Sequence, residues 1–248
     1  MRPESWLDVR NVIVTGGSRG LGLGIARKLV GSGFRVIGVA RKESDEFAEA
    51  AREHGEGLSF VPFDLMEIDR IPEMVKRVRK EFGPLYGLVN NAGMSVEGVL
   101  ALTAMDVIEK VVRLNTVSPM VMTKHVVRTM MADGGGRIVN ISSVTAFTGY
   151  SGLSVYAATK ASLLGFTRSL AREVGRMNVN VNAVAPGFVD TEMTHEMKDE
   201  QREQIVRRSA LKRMVDVEDV ASAVDFLMGD GAKNITGTVI TVDAGNTA

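Results

Sequence analysis

The sequence predicts an α/β fold: one domain over 1–248, built on a doubly wound sheet of seven parallel strands with helices on both faces. Three observations predict it. Short β-branched apolar runs alternate with longer amphipathic stretches from end to end, the order expected of repeated βαβ units. A glycine-rich turn joins the first run to the first amphipathic stretch. No internal repeat or composition break divides the chain.

Strands are expected over 11–15, 35–40, 58–62, 87–90, 137–141, 179–183 and 238–242. Helices are expected over 21–31, 45–54, 72–82, 104–131, 155–175 and 217–228. Pro72, after Asp69, marks a helix start, since proline fits the first turn. Thr103 with Asp106, and Asp216 with Asp219, place caps and acids where the helix dipole favours them. Gly134-Gly135-Gly136 signals a loop. Residues 190–215 are polar and weakly periodic. They are expected to form a mobile excursion or substrate lid, with Met193 and Met197 as an adaptable apolar cover.

Composition excludes several classes. Lys+Arg and Asp+Glu both number 30, so no net charge argues for nucleic acid or an anionic membrane. Cysteine is absent, which removes disulfides, thiolate chemistry and cysteine-ligated zinc; no metal site is expected. That absence fits a reducing cytoplasm. Met1 to Arg10 has no apolar segment of the signal-peptide kind. No apolar run reaches the roughly 20 residues of a membrane span.

The first strand runs from Thr15 into Gly16-Gly17-Ser18-Arg19-Gly20-Leu21-Gly22, and a helix follows. Glycines let the backbone approach a pyrophosphate, and the helix N-terminus offers free N–H groups. The same residues spell G-x-S-x-G around Ser18, the pattern of a hydrolase nucleophile elbow. Against that stand the position on the first strand and the histidines. His54, His125 and His195 do not follow a late strand as a triad base would. The second strand ends Val39-Ala40-Arg41-Lys42. An acid there would bind the 2′-hydroxyl of NAD; Ala40 followed by Arg41, with Arg19 in reach, suits a 2′-phosphate. NADP is therefore expected in preference to NAD.

Tyr156 precedes Lys160 by four residues, and Ser143 precedes Tyr156 by thirteen. A phenol has an ordinary pKa of about 10. Residues four apart share one helix face, so the ammonium is expected to favour the phenolate and make Tyr156 a usable proton donor. A serine hydroxyl from another element could hold the oxygen that receives the proton.

Together these motifs resemble the classical short-chain dehydrogenase/reductase family, over essentially the whole chain. The turn residues Gly16, Ser18, Arg19, Gly20, Leu21 and Gly22 resemble its cofactor fingerprint. Asp64-Leu65 is similar to its adenine-contacting pair, and Asn90-Asn91-Ala92-Gly93 to its signature after the fourth strand. Asn115, Ser143, Tyr156 and Lys160 match its catalytic tetrad. Pro186, Gly187, Val189 and Thr191 lie in the segment that holds the nicotinamide side. The resemblance implies a single-domain Rossmann-type sheet. It also implies hydride transfer between a nicotinamide and a carbonyl carbon, with Ser143 holding the oxygen and Tyr156 giving the proton. Lys160 would also bind the nicotinamide ribose, and Asn115 would hold a proton-relaying water.

Within the family, Ser169–Val174 and Ala185–Met193 are most similar to bacterial 3-oxoacyl-acyl-carrier-protein reductases. Arg172 matches one base that docks the acidic carrier. The segment 132–136, where a second base is expected, has none and carries Asp133. Arg128 or Arg137 could compensate; a coenzyme A thioester or free ketone stays open as substrate. Small residues Ala157, Ala158, Ala161, Ser162 and Gly165 permit close helix packing; members of the family usually assemble as tetramers through this helix and the preceding long one, so the resemblance implies a homotetramer. The alternatives are a reductase or dehydrogenase of another ketone or alcohol (sugar, polyol or steroid-like) and a non-catalytic dinucleotide-binding sensor.

Overall fold

The computed structural model describes residues 10–189 and 199–248. Among these, seven strands form one sheet in the order β3-β2-β1-β4-β5-β6-β7. They are β1 (Asn11–Thr15), β2 (Arg35–Ala40), β3 (Leu58–Pro62), β4 (Leu85–Asn90), β5 (Gly136–Ile141), β6 (Val179–Pro186) and β7 (Val239–Val242). All neighbours are parallel. The helices are α1 (Gly20–Gly31), α2 (Asp45–His54), α3 (Ile71–Phe82), α4 (Met105–Val112), α5 (Ser118–Asp133), α6 (Ser154–Val174), α7 (Asp199–Arg208) and α8 (Val217–Met228).

Parallel strands covered on both faces are apolar throughout, and here successive residues serve two cores. Val12 and Val14 pack with Leu23, Ile25 and Leu29 of α1 and Val220, Val224 and Leu227 of α8. Ile13, between them, packs with Met74 and Val78 of α3, Met122 and Val126 of α5, and Leu170 of α6. Strand order reverses between β1 and β4, so the crevice beyond their C-terminal ends is the ligand position that this topology favours.

A chain of amides and hydroxyls crosses the buried centre. Asn90 Nδ2 donates to Thr123 Oγ1 (2.9 Å) and to Asn140 Oδ1 (2.8 Å), and Asn140 Nδ2 donates to Thr167 Oγ1 (2.8 Å). Four elements, α5, β4, β5 and α6, are thereby fixed in relative position. The side chains are almost fully buried, so each lost partner would leave an unsatisfied polar group.

Helix starts follow local chemistry. The Ser44 hydroxyl accepts Phe47 N at the start of α2. Asp216 and Asp219 form a reciprocal capping box on α8. Pro72 lies in the first turn of α3. Thr103 differs from expectation: its hydroxyl donates to Val99 O, and Ala104 occupies the N-cap of α4 without a side-chain bond.

The expected helix over 104–131 is interrupted. Arg113–Val117 forms a π turn between α4 and α5. Pro119 explains it: proline has no N–H to give the Asn115 carbonyl four residues back. Such turns re-aim side chains and cluster at functional sites. The excursion over 190–215 contains α7, and a parallel bridge between Val189 and Val215 joins its ends. Met193, Met197 and His195 lie outside the described residues.

Candidate active site

Two turns are tied together where β1 and β4 end. The Thr15 hydroxyl donates to Val89 O (3.2 Å) and accepts from Asn91 N (3.0 Å) and Ala92 N (3.1 Å). Asn91 Nδ2 donates to Thr15 O (2.9 Å) and Gly16 O (3.3 Å), so its side chain clamps the glycine turn. Gly22 must be glycine for this packing, since a Cβ there would lie 2.1 Å from Gly16 O. The turn delivers the chain to α1 with Arg19 as N-cap, with no side-chain cap and no acid in the first turn. The first turn of α1 thus carries no acid of its own, which fits a dinucleotide pyrophosphate. Leu21 packs against the core, and Ser18 is buried with its carbonyl accepting the Ser44 hydroxyl. Among the described residues no histidine is bonded to Ser18.

At the adenosine end, Arg41 and Asp64 line one open cavity of about 440 Å³ with Phe63, Arg70 and Arg77. The Asp64 carboxylate accepts Met66 N (2.9 Å). Leu65 is packed in the core, which leaves Asp64 as the member of the pair that lines the cavity. On the other side Pro186 ends β6, Gly187 N donates to Val242 O (2.8 Å), and Val189 is buried. Thr191 lies outside the described residues.

Asn115, Ser143, Tyr156 and Lys160 converge. Asn115 is buried in the π turn, and Met94 occupies both ends of its amide. Oδ1 accepts Met94 N (2.9 Å) and Nδ2 donates to Met94 O (2.8 Å) and Thr159 Oγ1 (3.1 Å). Gly93 lets the turn approach this closely. A Cβ there would sit 3.3 Å from Asn115 Oδ1 and 3.4 Å from Lys160 Nζ. Ser143 accepts Thr145 N (3.2 Å), which leaves its proton to donate elsewhere.

Lys160 is 4% exposed and donates to Ile141 O (2.8 Å). Burial disfavours its charge and pushes its pKa down from 10.5 to about 8. The ammonium lies 5.7 Å from the centre of the Tyr156 ring. The expected depression of the Tyr156 pKa is not what the structure shows. Burial raises the phenol above its ordinary value, and a hydrogen bond with Ser143 only partly opposes this. Desolvation of the phenolate is the larger effect, and the Lys160 ammonium is turned to Ile141 O.

Two groups that sequence reasoning left without a role, together with Thr15 at the start of the glycine turn, hold these side chains. The Thr159 hydroxyl donates to Tyr156 O (2.7 Å), the Ser142 hydroxyl donates to Lys160 O (2.8 Å), and Thr15 locks the two turns. Thr159 carried a usable signal, its place between Tyr156 and Lys160 on one helix. Ser142 and Thr15 stand at strand ends, where many residue types occur.

The arrangement can present a carbonyl oxygen to two hydroxyls beside a buried cation, at the mouth of a dinucleotide crevice. That combination defines an oxidoreductase that works with a nicotinamide dinucleotide. Comparison with known proteins is more specific. The family profile described as short chain dehydrogenase matches residues 10–202. The chain is 39% identical over 235 residues to the 3-oxoacyl-acyl-carrier-protein reductase FabG of Salmonella typhimurium, covering 94% of this chain and 95% of that one. It is 40% identical over 242 residues to the FabG of Pseudomonas aeruginosa, covering 96% and 98%. A crystal structure of a putative gluconate dehydrogenase from Agrobacterium tumefaciens superposes with a TM-score of 0.91 at 26% identity, covering 96% of each chain. This chain belongs to the short-chain dehydrogenase/reductase family and is an NAD(P)-dependent oxidoreductase. Among the described residues no three metal-ligating side chains group together, and no helix is long and apolar enough to cross a membrane.

The buried cation has a consequence for stability. Unfolded Lys160 keeps its proton up to about pH 10.5, the folded one only up to about 8. Between these values the folded state binds fewer protons, so it gains stability as pH rises. Lys160→Met should be more stable than the parent at pH 7 by on the order of 3 kcal/mol, less the Ile141 hydrogen bond. The difference should shrink between about pH 8 and 10.5. Urea unfolding at several pH values measures it; a gap that stays constant across that range would show that charge burial is not its cause.

Proposed function

We propose that the protein is an NADPH-dependent reductase that converts a ketone to a secondary alcohol, and that its substrate is a 3-oxoacyl thioester. The observation that carries this is the pairing of the Ser143 hydroxyl with a Tyr156 phenol whose pKa burial raises above its ordinary value. Both are in the form that donates to a carbonyl oxygen.

The steps follow from that placement. When bound, a nicotinamide would supply the hydride that the carbonyl carbon receives. Ser143 donates a hydrogen bond to the carbonyl oxygen and stabilises the charge that develops there. Tyr156 transfers its proton to that oxygen, completing the alcohol. The phenolate left behind is stabilised by the Lys160 ammonium, which is present on most molecules below about pH 8. Of the three ammonium protons one goes to Ile141 O; the others are available to ribose hydroxyls. Asn115 acts through position: its amide is taken up by Met94 and Thr159, while its own carbonyl lacks the donor that Pro119 cannot provide, and a relay water would bind there.

Arg41, exposed beside Asp64, with Arg19 at the end of the glycine turn, supports NADPH over NADH through attraction to the 2′-phosphate. The FabG relatives support the thioester. The protein named a putative gluconate dehydrogenase supports a second substrate class, a hydroxy acid or polyol, with Tyr156 accepting a proton instead. The raised phenol pKa opposes that direction near neutrality.

Assembly is read as a homotetramer through α5 and α6. Val117, just ahead of α5, Met131, within it, and Ala158 and Gly165 of α6 are exposed, and a Cβ at Gly165 would meet nothing within 4 Å. The lid assignment for 190–215 is supported by Asn246, which accepts the Tyr150 hydroxyl and donates to Ile205 O of α7.

Tyr156→Phe should lower kcat with acetoacetyl-CoA about 10²- to 10⁴-fold while NADPH binding, followed by fluorescence, stays intact. Turnover near the parental rate would sink the mechanism. Arg41→Asp should invert the ratio of kcat/KM for NADPH over NADH; an unchanged ratio would remove Arg41 from cofactor choice. In sizing chromatography at micromolar protein the expected elution is that of four chains, and a monomer-sized peak would refute the assembly.

A further inference from the structure

The loop that joins Ser143 to Tyr156 is anchored from outside itself. It leaves β5 in ordered form. Ala146 N donates to Ser143 O (3.0 Å), and Thr148 gives both its N–H (3.0 Å) and its hydroxyl (2.8 Å) to Val144 O. Beyond Thr148 come Gly149 and Gly152, with Tyr150 and Ser151 between them. Gly152 has φ +82°, a left-handed conformation that favours glycine, and a Cβ at Gly149 would meet nothing within 4 Å. Two glycines leave so short a stretch many possible paths, so Tyr150 goes where its partners place it.

Those partners come from three other loops. After β4, Gly98 N donates to Gly152 O (2.9 Å). After β6, the Phe188 ring meets the Tyr150 ring edge-on, with 5.4 Å between centres. After β7, Asn246 Oδ1 accepts the Tyr150 hydroxyl (3.2 Å). The other end of the same amide donates to Ile205 O of α7 (3.3 Å), so one side chain ties the loop to the helix.

The turn that carries Asn246 is over-determined. Ala244 has φ +54°, a left-handed conformation uncommon for a residue with a Cβ. Its carbonyl accepts the Ser209 hydroxyl (2.8 Å) and Leu211 N (3.1 Å). The Asp243 carboxylate accepts Gly245 N (2.9 Å), Thr247 N (2.8 Å) and the Thr247 hydroxyl (2.6 Å), while Asn246 N donates to Asp243 O (3.1 Å). The turn also presses on the segment after β6, where a Cβ at Gly187 would lie 2.8 Å from Asp243 Cβ. Strained backbone persists only where neighbours fix it, and it gathers at functional sites. A rigid turn thus presents its amide to a loop that is loose by itself.

We propose that Asn246 is a positioning residue for carbonyl reduction, and that the Tyr150 ring it places is specificity-determining: the ring forms the wall against which the group beside the ketone packs. The inference rests on the reading of Ser143 and Tyr156 as the pair that receives a ketone. Tyr150 lies seven residues after Ser143 and six before Tyr156, and its ring is half-buried against Phe188. The ring pair therefore joins the segment with both proton donors to the segment that follows β6. Commitment of the hydroxyl to Asn246 leaves the rest of the ring as apolar surface. Ser143 and Tyr156 keep their own supports, the Thr145 amide and the Thr159 hydroxyl. A displaced wall should therefore weaken ground state and transition state alike, which raises KM and leaves kcat in place. Simple destabilisation of the fold would instead lower the amount of active protein and leave KM unchanged.

Two measurements on the full chain test this. The first is a double-variant cycle with acetoacetyl-CoA and NADPH. It uses Tyr150→Phe, which keeps the ring, and Asn246→Leu, which keeps the side-chain size. Each single variant should raise KM for the ketone about 5- to 10-fold, with kcat within about twofold of the parent and NADPH affinity unchanged. The double variant should rise no further than Asn246→Leu alone, because the bond between the two side chains can be lost only once. A parental KM in either single variant, additive effects, or a fall in kcat alone overturns the proposal. The second measurement follows amide hydrogen exchange in protein saturated with NADPH and needs no ketone. Leu153 N donates to Tyr150 O (3.3 Å) and Ala157 N to Leu153 O (2.8 Å), so exchange over 149–157 should accelerate in both single variants while β1 and β4 stay as in the parent. Acceleration confined to 205–211 would show that Asn246 serves α7 alone and would overturn its role at Tyr150. If the parent turns over no acetoacetyl-CoA, the thioester reading fails, and the exchange result still decides whether Asn246 holds the Tyr150 loop.

Discussion

The site is organised around an ammonium that has been taken out of water. Lys160 is 4% exposed with one described acceptor, Ile141 O. Burying a charge is costly unless neighbours compensate, and partial loss of the proton is the usual outcome. The surrounding structure holds the group there regardless. Ser142 and Thr159 fix the backbone of α6 on either side of it. Gly93 brings the turn after β4 against it, and the π turn places Asn115 in the same contact. Four separate elements thus meet at one amine, and any of them moved by an ångström would either expose the cation or clash with it.

Such a meeting point needs rigid supports, and the polar ladder from Thr123 through Asn90 and Asn140 to Thr167 provides them. Apolar packing alone tolerates rearrangement, whereas a buried amide is satisfied in one geometry. The ladder also pins β4 against β5. A slip of one residue between the two strands would place Asn90 and Asn140 on opposite faces of the sheet and break their hydrogen bond. Because Asn91 directly follows Asn90 and Ser142 lies two residues after Asn140, the pinned register is passed to both sides of the cleft.

Much of this was legible in the residues. The seven apolar runs marked the strands, with boundaries shifted by at most three residues, as β6 shows by continuing to Pro186. Motifs after β1, β4 and β5 marked the cleft because each required a residue type that few other positions require. What escaped had physical causes. The π turn follows from Pro119, a single missing donor inside an otherwise regular pattern. α7 has only Ile205 and Val206 as large apolar residues, so it has almost no periodic signal. Spacing placed Tyr156 beside Lys160 correctly but carried no information on burial, and burial reversed the sign of the pKa shift. Arg137 looked like a surface base because its partner, Asn180, is 43 residues away and meets it only through the pairing of β5 with β6.

At the reacting end of the cleft, charges are few, buried and positioned by short hydrogen bonds, so small displacements matter and salt has little access. A ketone held only there would draw its specificity from shape and from apolar side chains such as Tyr150 and Phe188, which pack edge-on against each other.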